Sequence, residues 1–320
     1  MRTGGRWRHQ AAAAAACAAL LGLAACSPGG KPSPPTDAAV LPGGAPAALG
    51  PGTLYLLLGN EDVSANLWRV DLPGGRACQL TFNPPEDGVS NFDASPAGLV
   101  LGDARTTVDL AEVMRGAKPR LLGGGIGDSP QINNVGQIVD LASAEQGVSH
   151  GPWSRDRLLL WDRPSGPYRT IYQAKPGNRV VVAWNPAGNR ILLINGPDDN
   201  AYTRLFIVSP RGQIMRPLAT LPGAGPDLYA WGSYGLAIGY LSSRPSEILS
   251  MSGRVKAILP EGWVPACWNP QGSKLLVITR NQRRIGIWLP ANPGRVQNLG
   301  ALPGQAIQEC SWTSRPAAGT

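Results

Sequence analysis

The sequence predicts an all-β fold, a six-bladed β-propeller of four-stranded blades. Three observations predict it: a turn phrase that returns along the chain, short apolar runs cut by Pro and Gly, and two ragged ends that complete each other. The 320 residues include 41 Gly and 31 Pro. Much of this falls singly or in pairs between runs such as "LYLLLG", "RILLIN" and "KLLVIT", which is how strands are punctuated. The phrase is an aromatic residue, then Pro and Gly, then an apolar strand. It reads "FDASPAGLVLG" (92–102), "AWNPAGNRILLI" (183–194) and "CWNPQGSKLLVI" (267–278), and more loosely "GDSPQINNVGQIVDL" (127–141) and "AWGSYGLAIGYL" (230–241). Taking Gly98, Gly136, Gly188, Gly235 and Gly272 as marks, the units lie 38, 52, 47 and 37 residues apart.

Each unit parses into four strands of β-forming residues separated by turn residues. The first full unit gives 89–94, 98–103, 105–114 and 118–123. The next, with the insertion "ASAEQGVSHGPWSRD", gives 126–132, 136–142, 156–163 and 168–173. The Trp184 unit gives 179–184, 189–195, 203–209 and 212–219, and the Trp231 unit 226–231, 235–241, 245–251 and 254–259. The Trp268 unit gives 263–268, 273–280, 284–290 and 295–300. What remains is three strands at the front (53–59, 66–72, 76–82) and one at the back (306–312, ending in Trp312). Three plus one make a sixth blade, which closes a ring without leaving free strand edges.

The stretch "NLWRVDLPGGRACQLTF" (66–82), with the later Trp-Asn-Pro-x-Gly turns, resembles the TolB-type, WD40-like propeller repeat of bacterial envelope proteins. Trp68, Asp71, Gly74, Gly75, Leu80 and Thr81 match that repeat best, and residues 53–312 are covered. Ala97, Ala187 and Gln271 stand where the family usually has Asp. The resemblance implies the blade. It does not imply TolB's place in a complex, because the N-terminal α/β domain of TolB has no counterpart.

The first residues read as an address. "MRTGGRWRHQ" is basic and "AAAAAACAALLGLAA" is fifteen uncharged residues, short of the ~20 needed to span a bilayer, so residues 1–25 read as a signal peptide. Leu23-Ala24-Ala25-Cys26 resembles the bacterial lipoprotein box, which implies cleavage before Cys26 and its acylation. Residues 26–51 are rich in Pro, Gly and Ala and read as a tether, residues 52–314 as the propeller, and 315–320 as a tail. Loss of Arg2, Arg6 and Arg8 takes 29 basic residues to 26 against 21 acidic, a formal +5. The basic residues are scattered without runs, so a nucleic-acid partner is not expected. Cys78, Cys267 and Cys310 remain; one disulfide with one thiol, or three buried small side chains, are both open.

Candidate sites divide into joints and loops. Phe92, Trp184, Trp231, Trp268 and Trp312 recur at one place in each unit, which favours wedges between blades over a sugar-stacking platform. The acids Glu61, Asp62, Glu86, Asp87, Asp198 and Asp199 fall in loops on one end of the ring, with Glu145, His150, Trp153 and Tyr202. A solvated rim is the plainer reading; the sharper one is a recognition face for a cationic protein or peptide, or Ca²⁺. His150 is the one His beyond the signal peptide, so multi-His metal sites are excluded. No cofactor or metal and no catalytic residue is assigned. The sequence therefore reads as a lipid-anchored extracytoplasmic propeller that binds protein or peptide, on the cell membrane or outer membrane. An envelope hydrolase or lyase acting on polysaccharide or peptide through acidic loop residues, and a purely structural or sensory module, are the alternatives.

Overall fold

The apolar runs become the second strands of blades because those strands are buried on both faces. In the computed structural model, Leu54, Leu56 and Leu58 of the first strand pack toward one neighbouring blade, whereas Tyr55 and Leu57 pack toward the other. With neighbours on both sides, alternation disappears and a continuous hydrophobic run is what the position requires. Outer strands face solvent and alternate imperfectly, as in "IMRPLATLP". The structure describes residues 40–60, 63–81, 89–103, 110–115, 118–121, 130–142, 157–163, 166–174, 178–197, 202–223, 225–242 and 244–317.

Among the described residues, twenty-four strands form six four-stranded sheets. Blade 1 combines β1 (Gly52–Asn60), β2 (Val63–Leu72) and β3 (Arg76–Gln79) with an inner strand from the chain end. Blade 2 is β4 (Val89–Ser95), β5 (Gly98–Asp103), β6 (Leu110–Arg115) and β7 (Lys118–Leu121). Blade 3 is β8 (Gln131–Ile132), β9 (Ile138–Ala142), β10 (Arg157–Trp161) and β11 (Tyr168–Gln173). Blade 4 is β12 (Asn178–Trp184), β13 (Ile191–Pro197), β14 (Tyr202–Val208) and β15 (Ile214–Pro222). Blade 5 is β16 (Leu228–Trp231), β17 (Leu236–Gly239), β18 (Glu247–Leu249) and β19 (Val255–Ile258). Blade 6 is β20 (Trp263–Trp268), β21 (Leu275–Thr279), β22 (Arg284–Trp288) and β23 (Val296–Ala301). The last strand, β24 (Ala306–Thr313), pairs antiparallel with β1, Leu54 opposite Trp312 and Leu56 opposite Cys310. The three-plus-one blade expected from the ragged ends is thus present.

The seam between the last and first blades carries two further ties. Cys267 of β20 and Cys310 of β24 form a disulfide with Cα atoms 5.6 Å apart, inside the usual range for the bond. Residues 40–50, expected to belong to the tether, pack across the same seam. Val40, Leu41, Ala45 and Leu49 are buried among side chains of blades 1 and 6. A five-residue helix, α1 (Ala45–Leu49), ends there, and Lys274 Nζ donates to its last carbonyls, Ala48 O at 2.9 Å and Leu49 O at 3.0 Å. A cation on orphan C-terminal carbonyls satisfies both charge and hydrogen bonding. Pro46 lies so close to the turn of blade 1 that a Cβ on Gly75 would meet it at 2.8 Å, and Gly75 has φ 74°. At the far end the expected tail is docked in part: Ala317 is buried and its amide donates to Tyr55 Oη at 2.7 Å.

Candidate functional site

Every inner strand lines the central channel, and its channel-side edge has no further strand to pair with. Its amides and carbonyls therefore need partners from elsewhere. Side chains of adjacent blades supply them. Glu309 of β24 accepts from Phe92 N at 2.7 Å, and Ser311 donates to Ala94 O at 2.9 Å, so blade 1 stitches blade 2. Asp93 of β4 accepts from Ile132 N at 2.9 Å, tying blade 2 to blade 3. In the opposite sense, Trp184 donates its indole N–H to Gln131 O at 3.2 Å, Tyr229 its hydroxyl to Val182 O at 3.0 Å, and Trp268 its indole N–H to Ala230 O at 3.1 Å.

The turns that end the inner strands are stitched as well. Asn185 Oδ1 accepts from Asn189 N and Arg190 N, and Asn269 Oδ1 from Ser273 N and Lys274 N, all at 2.8–2.9 Å. The Gly at the fourth position adopts φ 69° at Gly188 and 66° at Gly272, a left-handed geometry that closes a tight hairpin and excludes most side chains. Across blades, Ser95 donates to Asn133 O at 2.9 Å, Asn133 Nδ2 to Gly188 O at 2.9 Å, Asn134 Nδ2 to Pro186 O at 2.8 Å, and Ser233 to Gln271 O at 3.0 Å.

Between these turns lies a cavity of about 490 Å³ at the channel mouth, to which all six blades contribute. The residue before the wedge position supplies its inner wall: Asp93, Gln131, Ala183, Ala230, Cys267 and Ser311. Size and concavity suit a peptide segment or small molecule. The wall mixes Asn, Gln, Ser and Thr side chains and strand-end backbone with apolar surface from Trp, Pro, Ala and Ile, and Asp93 is its one carboxylate. Burial pushes the Asp93 carboxyl up to about 7, although the Ile132 and Ala94 amides pull it down. Glu309 is raised to about 8 by burial, with the nearby Asp93 charge adding to the shift and the Phe92 amide opposing it.

Phe92, Trp184, Trp268 and Trp312 are buried, each in a cluster that joins two blades. Trp231 is half-buried against blade 4. Phe92 stands two residues before the position of the tryptophans, which Ala94 occupies; both point to the same face and fill the blade 1–2 joint together. All four tryptophans also line the channel-mouth cavity. Of the loop residues, Tyr202 is exposed with the Arg204 guanidinium 4.8 Å from its ring. Glu61, Asp62, Glu86, Asp87, Glu145, His150, Trp153, Asp198 and Asp199 lie outside the described residues, as does Cys26, and with them the expected Ca²⁺ ligands. Sequence reasoning missed Asp93 and Glu309; the signal was an acid inside an inner strand, Asp93 standing where the other inner strands carry Gln131, Ala183, Ala230, Cys267 and Ser311.

No family model matches the chain, and no curated protein matches its sequence. Among solved structures it is similar to TolB from Acinetobacter baumannii, with TM-score 0.60 and 13% identity over 82% of this chain and 67% of that one. A TolB-assigned protein from Agrobacterium tumefaciens gives TM-score 0.53 and 13% identity over 82% and 91%. At this identity the likeness is one of fold.

Proposed function

We propose that the chain is a lipid-anchored, extracytoplasmic propeller that binds a protein or peptide partner as a scaffold at the cell envelope. The observation that carries this reading is the cavity at the channel mouth, built by all six blades and walled by amides, hydroxyls and strand-end backbone together with Trp and Pro side chains. Such groups recognise a polypeptide by hydrogen bonding, on a frame that closure makes rigid. The Leu23–Cys26 box and the Pro/Gly tether after it supply the anchor. Among the described residues no helix is long and apolar enough to cross a membrane. A disulfide at the seam suits an oxidising compartment.

A second reading, envelope hydrolysis or lysis, draws support from Asp93 and Glu309, since raised carboxyls near neutrality are what acid–base chemistry uses. Their oxygens accept the amides of Phe92, Ala94 and Ile132, which gives both acids a structural task and leaves binding the better-supported function. The test is to plug the mouth. Ser314→Trp places an indole at the exposed rim of the cavity and should abolish recovery of a partner from solubilised membranes while leaving circular dichroism unchanged. Undiminished recovery would remove the channel mouth as the site. Cys26→Ser should abolish acylation; normal membrane attachment of that variant would refute the anchor.

A further inference from the structure

On the end of the ring opposite the channel-mouth turns, a second cavity of about 250 Å³ opens between blades 5 and 6. It is bounded by the β17–β18 loop (Pro245, Ser246), the β19–β20 connection (258–263) and Arg280 after β21. Two polar groups in its wall are buried without a partner: Ser246 Oγ, on a residue 2% exposed, and Arg280 Nε. A hydroxyl and a guanidinium N–H left unpaired in a folded chain are costly, and both residues line the same small space.

The rest of the site is held in place. Leu259 N donates to Ser246 O at 2.9 Å, and Arg280 N to Gly262 O at 3.2 Å. Arg280 Nη2 donates to Arg244 O at 3.2 Å, and Arg244 is itself fixed, 4.1 Å over the Tyr240 ring and donating to Pro222 O at 2.8 Å. Around the donors stand apolar surfaces, the buried Leu259, the half-buried Trp263 and Ile258, 57% exposed. Exposed Glu261 sits at the rim and disfavours a multiply charged anion.

From this geometry we infer that the blade 5–6 cavity binds a single carboxylate carried on a small apolar group, as at the C-terminus of a peptide ending in an aliphatic residue or in a free branched-chain monocarboxylate. Arg280 Nε and Ser246 Oγ donate to the carboxylate, a geometry that guanidinium suits, and Leu259, Ile258 and Trp263 cover the alkyl part. The volume is below that of drug-sized clefts and fits one terminal residue.

The probes are acetyl-Ala-Leu with a free carboxylate, its C-terminal amide, and 4-methylpentanoate, titrated calorimetrically into the full-length acylated protein in detergent micelles. The free acid should bind at least about tenfold tighter than the amide, the loss expected for a charge-assisted bond. Peptide binding well above that of 4-methylpentanoate identifies a polypeptide terminus as the ligand; equal binding identifies a free carboxylate. Arg280→Gln should weaken binding by about tenfold or more. Ser246→Ala should weaken binding and raise the thermal midpoint, because it removes an unpaired buried hydroxyl; a serine with only a structural task would lower that midpoint. Equal affinity for acid and amide, or no heat with either at millimolar concentration, overturns the proposal.

Discussion

Replacing Cys267 and Cys310 together by Ala cuts the disulfide between the last blade and the strand that completes the first. The two residues are 43 apart in sequence. On the chain-entropy relation a closed loop of that length restricts the unfolded state by about 4 kcal/mol at 25 °C. Both ends are pinned on inner strands already paired within their blades, Cys267 on β20 with β21 and Cys310 on β24 with β1, so the native state gains little freedom when the bond is lost. The loss should therefore appear as reduced equilibrium stability without a change of fold. The assay is urea unfolding of wild type and double variant, each with and without reductant, followed by Trp fluorescence. The oxidised wild type should exceed the double variant by a few kcal/mol, near the estimated 4, and reductant should bring the two midpoints close together. Coincident curves for the oxidised wild type and the double variant would refute the seam as a site of stabilisation.

Other expectations follow from the stitches. Folding holds Asp93 at about 7 and Glu309 at about 8, so the folded chain keeps protons that the unfolded chain releases above about 4. Their contribution is complete below that pH and is lost as pH rises through 7 and 8. Glu309→Gln retains an acceptor for Phe92 N but does not titrate; its thermal midpoint should exceed the wild type's at pH 8 and match it near pH 4, and a constant difference would contradict the reading. Trp268→Ala opens the blade 5–6 joint and frees Ala230 O, and should cost about 3–5 kcal/mol in denaturant unfolding. Trp268→Phe should cost less, by roughly the ~1 kcal/mol of a hydrogen bond. Lys274→Met removes both hydrogen bonds from Lys274 Nζ to α1 and should speed hydrogen exchange and proteolysis at residues 40–50 while the blades keep their protection.

Strand order and ring closure were legible because each blade must bury both faces: "LYLLLG" and "KLLVIT" are apolar throughout for that reason, and the Pro/Gly turns mark where they start. The joints were legible only in part. Along an inner strand, alternate residues face the preceding and the following blade, so Trp184 points back and Ala183 forward. Aligned this way, Cys267 points forward from blade 6 and Cys310 backward from blade 1, and their pairing follows; read as three isolated cysteines, they gave no such answer. The same alignment puts Ala94, not Phe92, in register with Trp184. Residues 40–50 were illegible because a five-residue helix is too short to show a 3.6 period, and Pro, Ala and Gly resemble a tether until a partner groove is known. The unpaired donors Ser246 and Arg280 belong to different blades and meet only in three dimensions.

Partner binding at the channel mouth is most directly tested by a photo-crosslinking amino acid at Asn134, on the exposed rim of the cavity, in the acylated protein within its own membrane. Irradiation should give one dominant adduct with a defined polypeptide, which the Ser314→Trp plug abolishes and a crosslinker at Arg211, on the β14–β15 turn, does not form. Equal labelling from both positions, or no adduct from Asn134, would contradict the account.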